Sequence, residues 1–205
     1  MRAIALCIVA IALMRLLFYL KYCFSIATSL IVQTSMLNIT AETDNQRAKI
    51  HQVITDAFGQ TQEAELVDKI RNSPNFIPEL SLVALENGDV LGHILFSRIV
   101  IETPKKIPAL ALAPLAVTPM HQRQGIGSQL VQVGLSRCRE LDHSIVVVVG
   151  DPRYYRRFGF QKASQFGLHS SLPIPDEAFM VLELKPSALM NLNGNVCYPA
   201  YFNEV

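Results

Sequence analysis

Two glycines in a polar loop are the residues of this sequence whose spacing most clearly suggests chemistry. Gly125 and Gly127 lie in the segment 122–128, Gln-Arg-Gln-Gly-Ile-Gly-Ser, between an apolar run and a helical pattern. Backbone N–H groups at the start of a helix are unpaired and the helix dipole is positive there, so such a loop can bind phosphate. The loop is neither a P-loop, because no Gly-Lys-Ser/Thr follows, nor a dinucleotide-binding loop, because Leu130 replaces the third glycine. On the glycines alone, a turn that simply begins a helix remains the alternative.

Four side chains outside this loop could take part in acid–base chemistry. Tyr155 carries a phenol, but its aromatic neighbours favour a packing role. Asp151 follows a buried strand, where open sheets hold their ligands, but Asp-Pro is also a good helix cap. His93 has a suitable reference pKa yet shares an apolar strand face, where histidines are usually structural. Glu79 could reach a cleft or be solvated, so the sequence assigns no general base.

The order of elements that must position these residues predicts an α/β fold. Alternation and helical periodicity predict strands at 37–40, 81–85, 90–101, 109–117, 144–149 and 179–184, with helices at 50–58, 61–71 and 127–138. Asn87-Gly88 predicts a tight hairpin, and Pro114 predicts a bulge or an unpaired edge within its strand. The continuous apolar run at 145–149 is typical of a parallel strand reached by a helical crossover. A mixed α/β sandwich with one parallel crossover follows.

Composition narrows the range of partners. Of 18 basic and 17 acidic residues, the first 35 positions hold three basic and no acidic ones, which leaves 15 and 17 from Met36 onward. No basic surface large enough for nucleic acid is implied. The four cysteines, Cys7, Cys23, Cys138 and Cys197, show neither zinc-site nor disulfide spacing. We therefore expect no metal and a reducing, cytoplasmic location.

The apolar segment 1–35 has three interpretations. Arg15 and Lys21 interrupt its apolar run, so no uninterrupted apolar stretch reaches the roughly 20 residues that span a bilayer. It could be a membrane anchor, a cleaved signal lacking a clear cleavage site, or a mis-called start, since the globular pattern begins right after Met36. We expect residues 36–205 to form the folded domain.

Two motifs resemble the GNAT superfamily of N-acetyltransferases, and specifically its YhbS-like subgroup. The first is the run 115–119, Leu-Ala-Val-Thr-Pro, followed by the glycine loop, which resembles the coenzyme A signature Gln/Arg-x-x-Gly-x-Gly/Ala. The second is the run 150–160, Gly-Asp-Pro-Arg-Tyr-Tyr-Arg-Arg-Phe-Gly-Phe, which resembles the family's Tyr-x-x-x-Gly-Phe element. The resemblance covers 36–202 and none of residues 1–35.

The resemblance implies a fold, a cosubstrate and site residues. The expected fold is that of the acyl-coenzyme A N-acyltransferases, with a central, mostly antiparallel sheet splayed at one parallel strand pair. Acetyl-coenzyme A would lie in this gap, held by the backbone of Leu115 and Val117, with the Val117 N–H facing the thioester oxygen. Tyr155 would protonate the departing thiolate. The proposed pyrophosphate-binding loop comprises Arg123, Gln124, Gly125, Ile126, Gly127 and Ser128.

These motifs predict an acetyl-coenzyme A-dependent N-acetyltransferase in which an amine attacks the thioester directly. The acceptor, a small molecule or a peptide, is not identified by any motif. One alternative is a non-catalytic coenzyme A-binding sensor or partner-binding module, and another is a membrane-tethered protein whose main feature is segment 1–35. The prediction leaves a homodimer open.

Overall fold

A mixed β-sheet forms the centre of the protein. The computed structural model describes residues 37–204, and within that range the sheet contains the strands β1 (Asn38–Ala41), β2 (Ser81–Glu86), β3 (Asp89–Glu102), β4 (Ile107–Val117), β5 (Ile145–Val149), β6 (Gln161–Lys162), β7 (Leu168–Ser170), β8 (Phe179–Glu183) and β9 (Gly194–Cys197). Their spatial order is β1-β2-β3-β4-β5-β8-β6, while β9 pairs with β3 and β7. Four α-helices accompany the described strands: α1 (Arg47–Phe58), α2 (Gln62–Arg71), α3 (Ile126–Glu140) and α4 (Pro152–Tyr155).

The hairpin between β2 and β3 forms where the sequence predicts it. Asn87 and Gly88 both have positive φ angles, 51° and 89°, as a two-residue hairpin turn of this kind requires. The long antiparallel β3 then pairs with β2 on one side and β4 on the other. These three paired strands are the part of the sheet beside which the site is built.

The parallel pair of β4 and β5 is short, and the two strands part at their carboxyl ends. Pairing runs only from Leu110–Val146 to Leu112–Val148. Beyond that point the β3–β4 register shifts. Between the pairs Ile94–Leu115 and Phe96–Leu112, β4 contains two residues and β3 only one. This bulge contains Pro114, in agreement with the prediction that the proline would interrupt the ladder.

Helices cover both faces of the sheet. Helices α1 and α2 pack on one face, where Ile50, Ile54 and Val67 join the core. Helix α3 lies on the other face through Leu130 and Val131. The crossover from β4 through α3 to β5 therefore produces the parallel pair, as the sequence predicts.

The α/β class and the mostly antiparallel sheet are confirmed, but the sequence missed three strands. Strands β6, β7 and β9 are only two to four residues long, too short to show a periodic pattern. They add a second parallel contact, between β7 and β9, away from the main strand order. The apolar segment 1–35 lies outside the described residues, and within residues 37–204 no helix is long and apolar enough to cross a membrane.

Candidate functional site

Backbone N–H groups face the gap where β4 and β5 part. The Thr118 N–H donates to Leu91 O across the β3–β4 ladder, at 2.9 Å. Because hydrogen-bonding direction alternates along an antiparallel strand, the N–H groups of Val117 and Leu115 point away from β3. They face the side from which β5 has already diverged. The end of β4 therefore offers strand donors to an extended ligand.

The glycine loop begins α3 beside this gap. Gly125 caps the helix with φ of 90°, a conformation that glycine adopts readily. Gly127 lies in the first turn, where an added Cβ would come within 2.9 Å of Tyr154 Oη. The loop thus brings unpaired helix N–H groups close to an aromatic wall, an arrangement suited to an anion.

A cavity of about 630 Å³, here called the loop cavity, lies over this helix start. It is lined by Leu115, Val117, His121, Gln122, Arg123, Gly125, Gly127, Ser128, Tyr154 and Arg157. The Arg157 guanidinium stacks 4.0 Å from the centre of the Tyr154 ring, and its Nε donates to Tyr154 O at 3.0 Å. Among the described lining residues the formal charges are all positive, so the loop cavity favours an anionic group.

A second cavity of about 700 Å³, here called the strand cavity, lies between the diverging strands. Its lining comprises Phe58, Glu63, Leu66, Ala111, Leu112, Ala113, Pro114, Leu115, Val147, Val148, Val149, Gly150, Asp151, Tyr154, Tyr155, Leu172, Ile174, Tyr198 and Phe202. Leu115 and Tyr154 line both cavities. One elongated ligand could therefore lie along both.

Tyr155 lies in the wall of the strand cavity. Its side chain is only 8 % exposed, and its ring packs edge-on against Phe160 and Tyr154, with centroids 5.6 and 5.0 Å away. An added Cβ on Gly150 would come within 2.5 Å of the Tyr155 ring, so this glycine makes room for it. Burial raises the pKa of Tyr155 well above its usual value. The phenol is protonated at neutral pH with or without this shift, so it carries a hydroxyl donor, although burial makes it a weaker acid.

Asp151 is a helix cap. Its Oδ1 accepts a hydrogen bond from the Arg153 backbone N–H at 2.9 Å, and its Oδ2 accepts one from the Arg153 side chain at 2.8 Å. The hydrogen bond from the Arg153 side chain lowers the pKa of Asp151. This carboxylate lines the strand cavity and forms a solvent-exposed ion pair with Arg153.

His93 belongs to a buried polar cluster away from both cavities. Glu42 accepts hydrogen bonds from Ser81 Oγ at 2.7 Å and from two nitrogens of Arg71, both at 2.7 Å. His93 Nε2 lies 3.2 Å from Glu42 and 3.0 Å from Ser81. Complete burial lowers the pKa of His93, although Glu42 opposes the shift. The histidine therefore connects β3 to the segment that follows β1. The other acid–base candidate, Glu79, is exposed and lines neither cavity.

The structure brings together most of the residues that the sequence singled out. Residues lining the two cavities include Leu115, Val117, Arg123, Gly125, Gly127, Ser128 and Tyr155. Gln124 and Ile126 do not line them: the Gln124 amide donates to Met120 O and Ile126 is buried in the core. Sequence reasoning missed His121, Arg157 and Glu63. His121 immediately precedes the glycine loop and Arg157 lies within the run 150–160, but nothing near Glu63 in the sequence points to a cavity.

Comparisons with known proteins agree with this geometry. Residues 38–163 match the model of the acetyltransferase (GNAT) domain. The chain is 35% identical over 163 residues to the uncharacterized N-acetyltransferase YjhQ of Escherichia coli, covering 78% of this chain and 89% of YjhQ. It is 35% identical over 156 residues to the uncharacterized N-acetyltransferase YhbS of the same organism, covering 76% and 92%.

Two similar solved structures contain coenzyme A or acetyl-coenzyme A. The crystal structure of YhbS from Escherichia coli in complex with coenzyme A has a TM-score of 0.78 at 32% identity, covering 83% of this chain and 93% of that one. A GNAT-family acetyltransferase from Brucella melitensis, in complex with acetyl-coenzyme A, has a TM-score of 0.68 at 33% identity, covering 82% and 99%.

Proposed function

Because the chain belongs to the GNAT family of N-acetyltransferases, we propose that it transfers an acetyl group from acetyl-coenzyme A to a primary amine in the site formed by the two cavities. One observation carries this proposal. The loop cavity, basic and placed at a helix start, continues past Leu115 and Tyr154 into a cavity between diverging strands. An acyl donor fits this arrangement, with its phosphates in the basic loop cavity and its thioester in the strand cavity.

The glycine loop and the end of β4 bind different parts of acetyl-coenzyme A. N–H groups of Gly125, Gly127 and Ser128, at the positive end of α3, suit the pyrophosphate, with the side chains of Arg123 and Arg157 beside them. The strand N–H groups of Leu115 and Val117 suit the amides of the pantetheine arm. Gln124 and Ile126 contribute through their backbone alone, since their side chains point elsewhere.

In the transfer itself, the amine nitrogen bonds to the thioester carbon and the carbon–sulfur bond breaks. The Val117 N–H faces the carbonyl oxygen as negative charge develops there. Tyr155, whose phenol is protonated at neutral pH, donates a proton to the thiolate that leaves. The proton lost by the attacking amine passes to water, since His93 is occupied in its buried cluster.

The catalytic domain is proposed to comprise residues 36–205. All described elements of the site lie within it, and Cys138 and Cys197 form no disulfide among residues 37–204. Free thiols are usual in a reducing compartment, which supports a cytoplasmic location for this domain.

A screen for coenzyme A release tests the function. The purified protein is incubated with acetyl-coenzyme A and with amines, polyamines, amino acids or peptides in turn. We expect an amine-dependent release and an acetylated amine of matching mass. Tight binding of acetyl-coenzyme A without turnover of any amine would instead support a non-catalytic coenzyme A-binding module.

A further inference from the structure

We infer that the strand cavity accepts a monoamine carried on an apolar body, and that Glu63 binds its ammonium group. The inference rests on the proposed acetyl transfer, because it identifies the acceptor for that reaction. Two observations support it. The two cavities differ in charge, and one oxygen of the Glu63 carboxylate lacks a hydrogen-bond partner among residues 37–204.

The two cavities have opposite charge. Among its described lining residues the loop cavity has Arg123 and Arg157 and no carboxylate. The strand cavity has two carboxylates, Glu63 and Asp151, and within the described range no Lys, Arg or His. A donor with phosphates is therefore held at one end, and a cation is favoured at the other.

Glu63 is the acidic residue of the strand cavity that has a carboxylate oxygen without a hydrogen-bond partner among residues 37–204. Asp151 is paired with Arg153, 2.8 Å away. The Glu63 Oε1 accepts a hydrogen bond from Gln60 Nε2 at 2.9 Å, whereas its Oε2 is buried without a hydrogen-bond partner among residues 37–204. A buried anionic oxygen without a donor is unfavourable. An ammonium group in the cavity supplies the missing donor. Before the attack it passes one proton to water, because only the neutral amine is nucleophilic.

The place of Glu63 in the fold suits this role. It lies in the first turn of α2, where the helix dipole stabilises a carboxylate. Helices α1 and α2 cover one face of the sheet, whereas α3 and its loop belong to the other. Glu63 and the phosphate-binding loop thus approach the gap between β4 and β5 from opposite faces of the sheet.

The rest of this wall is apolar. Leu66, Leu172, Ile174 and Phe202 join the core beneath α1 and α2 while also lining the cavity. Phe58, at the end of α1, lines it too and remains 44 % exposed. A carboxylate on the acceptor, or a second ammonium held on this wall away from Asp151, would lie without a partner, which is unfavourable. The wall therefore selects monoamines over diamines and free amino acids.

Three acceptors of graded charge test the specificity. 2-Phenylethylamine has one ammonium on an apolar body, phenylalanine adds a carboxylate to it, and 1,4-diaminobutane has two ammonium groups on a short chain. We expect kcat/KM for 2-phenylethylamine to exceed that of each of the others by about ten-fold or more, the scale of one unpaired charged group. Equal values, or a preference for the diamine or the amino acid, would overturn the inference.

The variant Glu63→Gln tests the residue, and Glu65→Gln is its matched control. Glu65 lies on the same helix, but its carboxylate accepts from Thr61 Oγ1 at 2.9 Å and lines neither cavity. We expect Glu63→Gln to raise the KM for 2-phenylethylamine by about 10 to 100-fold, while Glu65→Gln leaves it unchanged. An unchanged KM in Glu63→Gln would refute the assignment.

Binding of acetyl-coenzyme A separates this inference from the proposed function. We expect Glu63→Gln to bind acetyl-coenzyme A as tightly as the wild-type protein, because the loop cavity does not contain Glu63. A loss of that affinity in the variant would show a structural role for Glu63 and contradict the inference. If the wild-type protein itself does not bind acetyl-coenzyme A, the proposed function fails first.

Discussion

Replacing Tyr155 by phenylalanine should slow acetyl transfer by about 10 to 100-fold. This loss corresponds to about 1.4 to 2.7 kcal/mol of transition-state stabilisation. It lies at the low end for a general acid, because a thiolate is a fairly good leaving group that water can also protonate. The ring contacts with Phe160 and Tyr154 do not involve the hydroxyl, so the variant should fold and bind acetyl-coenzyme A normally.

The assay must measure chemistry rather than product release. Single-turnover acetylation, with enzyme in excess over acetyl-coenzyme A, meets that requirement. The control is Tyr201→Phe, which removes a hydroxyl that bonds to Ser73 and Asn75 outside both cavities. It should lower stability by about 1 kcal/mol without changing the single-turnover rate. If Tyr155→Phe matches wild type in that assay, Tyr155 is a packing residue and the acid role is wrong.

Three further predictions concern stability. Burial alone would raise the pKa of Glu42, but its hydrogen bonds with His93, Arg71 and Ser81 outweigh burial and lower the pKa from 4.5 to about 2. The ionised Glu42 therefore stabilises the fold by about 3 kcal/mol above about pH 4.5. That contribution is lost as pH falls to about 2, and acid unfolding of Glu42→Gln should show a correspondingly weaker pH dependence in this window. Gly134→Ala should lower the free energy of unfolding by about 1 to 2 kcal/mol, as measured by urea titration. The Cβ of the new alanine would lie 2.4 Å from the Phe96 ring, and this overpacking outweighs the gain in helix propensity. The chain 36–205 should fold alone, with a cooperative thermal transition.

The sequence predicts the parts of this fold that depend on local chemistry. The Asn87-Gly88 turn, the bulge at Pro114 and the Asp151 cap each follow from one or two residues with strong backbone preferences, and all three are present. Helix and strand runs longer than four residues also show their periodicity. Such features can be predicted without knowledge of the tertiary structure.

The remaining features depend on contacts between distant segments. Strand β9 pairs with β3 across more than 90 residues, and its four residues carry no pattern of their own. Likewise Glu63, on α2, lies beside the same cavity as Tyr198 near the carboxyl end. Helical periodicity identifies Glu63 only as a polar residue of an amphipathic helix. The absence of a partner for Oε2 within the described chain is visible only in the assembled structure.

Calorimetric titration of acetyl-coenzyme A into the wild-type protein and a folded Gly127→Val variant tests the central claim most directly. The wild-type protein should bind one equivalent. In the variant the added side chain would crowd Tyr154 Oη, 2.9 Å from the position of the Cβ, and obstruct the approach of phosphate to the start of α3. We predict that affinity falls by about ten-fold or more, the effect of losing one or two charge-assisted hydrogen bonds. Equal affinity in the two proteins would contradict the assignment of the loop cavity as the site for acetyl-coenzyme A.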